Sequence, residues 1–248
     1  MSSATVTEVT APPRTARAIP FRVVAVLLAA TYLVLFGSVQ LLLTPWVVLP
    51  DVVDHGWTRT PELHRWADSA AAATMAALGA GALLAVWRPL TRSGLVAWVG
   101  VLLAVVGLGS GVSVLLQQHT GAAGALLQGV LTAALTAVPF VLLHPQRREV
   151  LAGGRRDAGP AGAARAVLLA VSVAGVALVV GALVWRLTGG VVENPLEDDV
   201  LSFVLLGVTL ATGGAWAASG REGWRVVAWV TGAVAAYAVV AGASLLLL

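Results

Sequence analysis

The chain has 248 residues, of which 58% are hydrophobic and 11% are charged, and its formal net charge is +3. Soluble domains carry about 25% charged residues, so this composition excludes a water-soluble protein of that size. Cysteine is absent, which excludes disulfides, thiolate metal sites and cysteine nucleophiles. All 15 basic residues are arginine, and with the abundant alanine, glycine and valine this favours a bacterial origin.

Residues 1–20 are rich in Ser, Thr, Ala and Pro and predict a disordered tail. Seven apolar segments follow, each close to the roughly 20 residues that cross a bilayer as a helix. Four lie within residues 21–143 and three within residues 166–248, on either side of an arginine-rich loop at 144–165. Their predicted bounds are 21–43, 67–87, 95–116, 122–143, 166–187, 200–218 and 226–248. The sequence therefore predicts an all-α integral membrane protein with a bundle of seven transmembrane helices.

The first segment follows Arg14, Arg17 and Arg22, a layout that secretory signal peptides share. Its apolar run is longer than the roughly 7–15 residues of a signal core, and no small-residue cleavage site is followed by a soluble domain. We therefore interpret it as an uncleaved first helix.

The arginines predict the orientation. With the N-terminus inside, the cytoplasmic segments hold Arg14, Arg17, Arg22, Arg88, Arg92, Arg147, Arg148, Arg155, Arg156, Arg165, Arg221 and Arg225. The outer segments hold Arg59, Arg65 and Arg186. The positive-inside rule therefore predicts a cytoplasmic N-terminus and an extracytoplasmic C-terminus in a plasma (inner) membrane. The high isoelectric point follows from these arginines and does not indicate a nucleic-acid partner.

The two halves of the chain share short patterns. A Val-Val-acid step and a capping residue, proline and acid occur in 52–62 and again in 191–197, and Val-Ala-Trp begins both the third and the seventh helix. These patterns favour the hypothesis of a parallel repeat, with helices 1–3 matching 5–7 and helix 4 as the linker. The alternative is that similar membrane boundaries recur, because such residues are ordinary at helix starts.

Small residues recur at helical spacing in several predicted helices. In the fourth they are Gly121, Ala125, Gly129, Ala133 and Ala137, and the second and third helices carry similar stripes. In lipid, such faces let backbones approach closely. We expect helices 2, 3 and 4 to pack tightly, and other membrane proteins could dock on small-residue faces. The alternative is that stripes arise by chance in so alanine-rich a chain.

Ionisable groups are scarce inside the predicted spans, where they usually mark function. Asp68 and Arg186 lie near helix ends and can reach the interface. The candidates for lining a cavity are Gln40, Ser110, Ser113, Gln128, Thr132, Thr136, Thr209 and Arg186. The alternative for the neutral ones is bonding to a neighbouring helix or to their own carbonyls.

Three histidines, His55, His64 and His119, are predicted to be extracytoplasmic and are the candidates for a metal site. Imidazole suits zinc and copper, but the spacing matches no close metal-binding motif. Loop histidines are commonly just solvated. We therefore predict no cofactor.

Enzyme signatures such as a nucleophile elbow, a phosphate-cradling loop or a zincin motif are absent from the sequence. We expect a protein that is not an enzyme, and most simply a structural or accessory membrane component that acts through helix packing with its partners. One alternative is a passive or weakly coupled transporter of a small neutral solute. Another is an extracytoplasmic sensor of a ligand or metal.

Overall fold

The computed structural model describes residues 18–36, 38–46, 61–116, 121–188 and 199–247. Within these ranges the fold is helical, and seven helices are long and apolar enough to cross a membrane. This confirms the predicted class and the predicted number of spans. The predicted tail falls mostly outside the described residues, as do His55, His119 and the repeat pattern at 191–197.

The described helices are numbered α1 to α9. The shorter ones are α2 (Ser38–Leu41) and α6 (Arg147–Leu151). The seven spans are α1 (Ala18–Ala30, continued by a π-turn over Thr31–Leu35), α3 (Pro61–Trp87), α4 (Ser93–Leu116), α5 (Ala122–Leu142), α7 (Gly162–Leu187), α8 (Asp199–Ala218) and α9 (Trp224–Leu247).

The first span is not the single helix predicted over 21–43. At Thr31–Leu35 the helix widens, because the amide of Phe36 donates to the carbonyl of Thr31 at 3.0 Å, five residues back. Several other helices also begin earlier than predicted, most of all α3 at Pro61, where a proline needs no amide partner, and α7 at Gly162. The predicted loop at 144–165 is itself partly helical, because it contains α6.

The helix ends lie on two opposite faces. On one face, Ser93 at the start of α4 hydrogen-bonds Glu222 between α8 and α9. On the other, Trp66 of α3 packs on Phe203 of α8 with ring centroids 5.4 Å apart, so α3 and α8 run parallel. The described arginines divide unevenly between the faces, with Arg65 and Arg186 on the second and the rest on the first. We call the first the arginine-rich face and the second the histidine face; that the arginine-rich face is cytoplasmic stays a prediction.

Helix α3 is central and packs on α1, α4, α8 and α9. Trp98 of α4 is fully buried, and its indole N–H donates to the hydroxyl of Thr212 in α8 at 3.1 Å. If the chain were a repeat, α1, α3 and α4 would correspond to α7, α8 and α9. The contact of α3 with α9 then has a counterpart, because α8 packs on α4. The close approach of α7 to α8 has no equal between α1 and α3, and the repeat stays a hypothesis.

The closest approaches are between α4 and α5 and between α7 and α8. A Cβ added to Gly111 of α4 would lie 2.7 Å from the carbonyl oxygen of Ala125 and 2.7 Å from the Cα of Gly129. The predicted stripe on the fourth span is therefore a contact face with α4. Between α7 and α8, a Cβ on Gly207 would lie 2.8 Å from the carbonyl oxygen of Gly175. In both pairs, glycine allows a backbone contact that any side chain would separate.

Candidate functional site

The predicted arginine-rich loop at 144–165 forms a cap on the arginine-rich face. The amide of Glu222 donates to the carbonyl of Arg155 at 2.8 Å, and the amide of Asp157 donates to the carbonyl of Gly220 at 2.7 Å. The Arg221 guanidinium donates to the carbonyls of Ala152 and Gly154 at 3.1 and 3.2 Å. The loops after α5 and after α8 are therefore held together by backbone bonds, which the sequence did not indicate.

His144 anchors the end of α5 to the turn after α3. Its Nδ1 accepts a hydrogen bond from the Gln146 amide at 3.2 Å, so its Nε2 carries the proton and donates to the Pro89 carbonyl at 2.9 Å. The ring is 1% exposed and packs edge-on against Phe21 with centroids 4.7 Å apart. Burial lowers the pKa of His144, and the two hydrogen bonds oppose that shift. A neutral, structural imidazole results.

On the histidine face, the structure places His64 between two carboxylates. Its Nε2 lies 3.5 Å from Asp68 Oδ2, one turn further along α3, and its Nδ1 lies 4.0 Å from Asp199 Oδ1 at the start of α8. His64 is 6% exposed and Asp199 is 3% exposed. This buried group joins α3 to α8. Sequence reasoning missed it, because Asp199 looked like an ordinary acid at a helix start.

The geometry around His64 suits a proton better than a metal ion. The two carboxylates face opposite ring nitrogens, so an ion held by one nitrogen would reach only one of them. Among the described residues, no group of three or more His, Asp or Glu side chains is arranged to hold a metal. Of the predicted metal candidates, His64 alone lies within the described part of the chain.

The predicted cavity-lining residues are divided among α2, α4, α5, α7 and α8, and Gln128, Thr132 and Thr136 lie at successive turns of α5. Thr132, Thr136 and Thr209 donate to carbonyls one turn earlier in their own helices, at 2.9, 2.7 and 2.8 Å, and Ser110 donates to Gly107 at 2.7 Å. The remaining candidates differ in exposure: Gln40 and Gln128 are exposed, Ser113 is buried, and Arg186 is half-buried near the end of α7 at the histidine face.

A cleft of about 480 Å³ opens between α3 and α9 at the depth of the bilayer core. Its walls are alanines, valines and Leu42, with Trp229 at one end and Tyr237 as the main polar group. None of the predicted cavity-lining residues borders it. The Tyr237 hydroxyl is already engaged, because it donates to the Leu42 carbonyl at 2.9 Å.

The outer surface of α7 carries a second set of small residues, on the side opposite α8. These residues recur at helical period, lie within a narrow stripe and are all exposed. They are Ala163, Ala166, Ala170, Ala174, Ala177 and Gly181. We call this set the α7 stripe. A Cβ added to Gly181 would meet nothing within 4 Å. At the histidine face, the stripe borders a groove of about 440 Å³ whose walls include Trp66, Trp185 and Phe203.

Comparisons with known proteins add no relative: no protein-family model, no curated protein and no solved structure matches the chain.

Proposed function

We propose that this protein is a non-catalytic accessory component of a bacterial plasma membrane that packs side by side with another membrane protein through the α7 stripe. The observation that supports this most directly is the position of α7 in the bundle. It packs extensively on α8 alone, and its opposite surface is exposed along its length.

The residues of that surface favour a protein partner over lipid alone. A lipid-facing helix position gains nothing from glycine, which costs a helix about 1 kcal/mol relative to alanine. Gly181 and the alanines in line with it leave a shallow channel in which a partner helix can approach closely. The neighbouring groove at Trp66 and Trp185 offers space for a side chain of the partner. The α7 stripe and this groove together would be complementary in shape to a partner helix that carries one large side chain.

The transport alternative has less support. A neutral solute needs polar groups along its path, and the cleft between α3 and α9 is lined mostly by alanine and valine. The threonines that would line a path elsewhere already donate to their own helices. An accessory role requires no such path.

The test uses a photoreactive amino acid at Ala174 in the α7 stripe, and a matched chain with the same group at Leu135 on the outer surface of α5, which is 73% exposed. Irradiation in native membranes should give a discrete protein adduct from position 174 and only lipid adducts from position 135. Adding Gly181→Leu should abolish the adduct, and adding Gly232→Leu, at another glycine with open space around it, should not. Lipid adducts alone from position 174 would overturn the proposal.

A second function, extracytoplasmic sensing with the proton as the ligand, draws support from His64. Protonation would let the imidazole pair with both Asp68 and Asp199 and so tighten α3 against α8. Because the chain lacks cysteine, spin labels can be attached at two introduced cysteines alone, one near the start of α3 and one near the start of α8, at positions other than Trp66 and Phe203, which pack on each other. The distance between them should shorten from pH 8 to pH 5, and His64→Gln should remove the change. An unchanged distance in the native histidine background would exclude this role.

A further inference from the structure

Positive charge on the arginine-rich face is not neutralised within the described part of the chain. The arginines there are Arg22, Arg88, Arg92, Arg147, Arg148, Arg155, Arg156, Arg165, Arg221 and Arg225, against Glu149, Asp157 and Glu222. Among the described residues, the ion pairs lie at His64 on the opposite face, and none of these arginines has a carboxylate within ion-pair distance. Glu222 instead accepts a hydrogen bond from the Ser93 hydroxyl at 2.7 Å. The counter-charge must come from outside the described chain.

The arginines near the turn between α3 and α4 are the most crowded. Burial, and after it the positive charge of Arg88, lower the pKa of Arg92. Arg92 donates to the carbonyl of Leu84, which fixes it near the end of α3. Arg22 of α1 faces Arg88 across a cleft of about 260 Å³. An anion in this cleft would lie between the positive charges of Arg22 and Arg88, which both line it.

The cleft has an apolar side as well as a basic one. Ala18, Pro89 and Leu90 complete its walls. Beside it, Ile19 and Val23 of α1 are 61% and 53% exposed on the surface that faces lipid. Trp87 is 76% exposed at the end of α3, and indoles of this kind settle at headgroup depth. A ligand with an anionic head and an apolar tail fits this arrangement.

We propose that the cleft between the start of α1 and the α3–α4 turn binds the phosphate of an anionic phospholipid from the adjoining leaflet. Arg22 and Arg88 are the phosphate ligands, because the guanidinium fork matches two phosphate oxygens. The acyl chains run along the exposed surface of α1, past Ile19 and Val23. Basic pockets between helices on the cytoplasmic side of membrane proteins commonly hold such headgroups.

The experiment compares the purified full chain in nanodiscs of phosphatidylcholine alone and in nanodiscs with added phosphatidylglycerol. Phosphatidylglycerol should raise the unfolding temperature and remain bound in native mass spectra. The double variant Arg22→Gln/Arg88→Gln should retain it about a hundredfold less well, about tenfold for each of the two charge-assisted contacts that are lost. The matched control Arg155→Gln/Arg156→Gln removes two exposed arginines from the cap and should retain it like the unmodified chain.

Further arms separate the possible outcomes. Equal loss in both double variants would show a diffuse charge effect and overturn the site. Inorganic phosphate added to phosphatidylcholine nanodiscs should not raise the unfolding temperature; an equal rise would assign the cleft to free phosphate and overturn the lipid. Arg22→Lys/Arg88→Lys keeps the charge without the fork, so intermediate retention is expected, and full retention would contradict the bidentate contact. Unfolding temperatures in phosphatidylcholine alone show that each variant is folded.

Discussion

Helices α5 and α7 occupy similar places in the bundle but differ on their outer surfaces. Each is peripheral, with 22% of the α5 span and 11% of the α7 span buried, and each is attached mainly to one neighbour through small residues. The outer surface of α5 carries large apolar side chains such as Leu127, Leu131 and Leu135. The outer surface of α7 carries large apolar side chains too, such as Val173 and Val180, and beside them the α7 stripe, which has no counterpart among the leucines of α5.

The attachment of the two helices at the arginine-rich face also differs. α5 ends at His144, which is bonded to Pro89 and packed on Phe21. α7 begins with exposed residues from Ala161 to Val167. Small residues therefore have two roles in this chain. Those of α5 that face α4 pack within the fold, and those of the α7 stripe stay exposed and can contact another molecule.

The largest loss of stability is expected at the close glycine contacts, which the α4–α5 and α7–α8 pairs share. A Cβ on Gly129 would lie 3.0 Å from the Cα of Gly111, and one on Gly207 would lie 2.7 Å from Val179 Cγ2. Gly129→Leu and Gly207→Leu should each lower the free energy of unfolding by about 3 kcal/mol, the upper end of overpacking costs. Unfolding in mixed detergent micelles measures this. Gly232→Leu, with open space around it, should change little. An equal loss there would show that the close helix contacts at Gly129 and Gly207 are not the cause of the destabilisation.

The second effect tests the anchor of α5. Because burial lowers the pKa of His144 in the folded protein, folding favours the neutral ring. Stability from this group is full above the unfolded pKa of about 6.5 and is lost as pH falls through the lower folded value. The expected loss is at most about 1.4 kcal/mol for each pH unit below 6.5. Unfolding temperatures from pH 7.5 to 5 should fall less steeply in His144→Gln; identical slopes would show that other groups are responsible.

A third effect separates the two surfaces of α7. Gly181→Ala should raise the stability of the isolated protein by about 0.5–1 kcal/mol, because alanine is the better helix former and the added methyl meets nothing. Gly175→Ala, on the α8 side, should lower it, since the new Cβ would lie 2.6 Å from the carbonyl oxygen of Gly207. The same unfolding assay measures both. A change of stability in the same direction in both variants would contradict the conclusion that Gly181 lies on the exposed surface of α7 and Gly175 on the surface packed against α8.

The smallest effect concerns one hydrogen bond between α7 and α8. The Ser172 hydroxyl donates to the Ala211 carbonyl at 2.7 Å. Ser172→Ala should cost about 0.6 kcal/mol, the average for such bonds within membranes. Ser110→Ala removes a bond to Gly107 in the same helix and should be nearly neutral. A larger loss from Ser110 would show that interhelical bonding is not what distinguishes the two serines.

Features that depend on the residues of a single helix could be predicted from the sequence. The contact stripe of Gly129 and Ala133 follows from residue types at helical spacing, whereas α3 begins at Pro61, six residues before the predicted bound. The group of His64 with Asp199 could not be predicted, because the two residues belong to helices that meet only through tertiary packing. The π-turn at Thr31 has no comparable sequence signal, since it inserts a single residue into an otherwise ordinary apolar run.

Seven helices in the described part of the chain are long and apolar enough to cross a membrane, and the amino-acid sequence alone predicts this, because hydrocarbon thickness fixes the length of an apolar helix. Only the tertiary structure decided which small-residue stripe is buried and which is left on the surface. In lipid, all helix faces are similarly apolar, so composition alone does not choose a neighbour. That choice is made by the close fit of α4 to α5 and of α7 to α8.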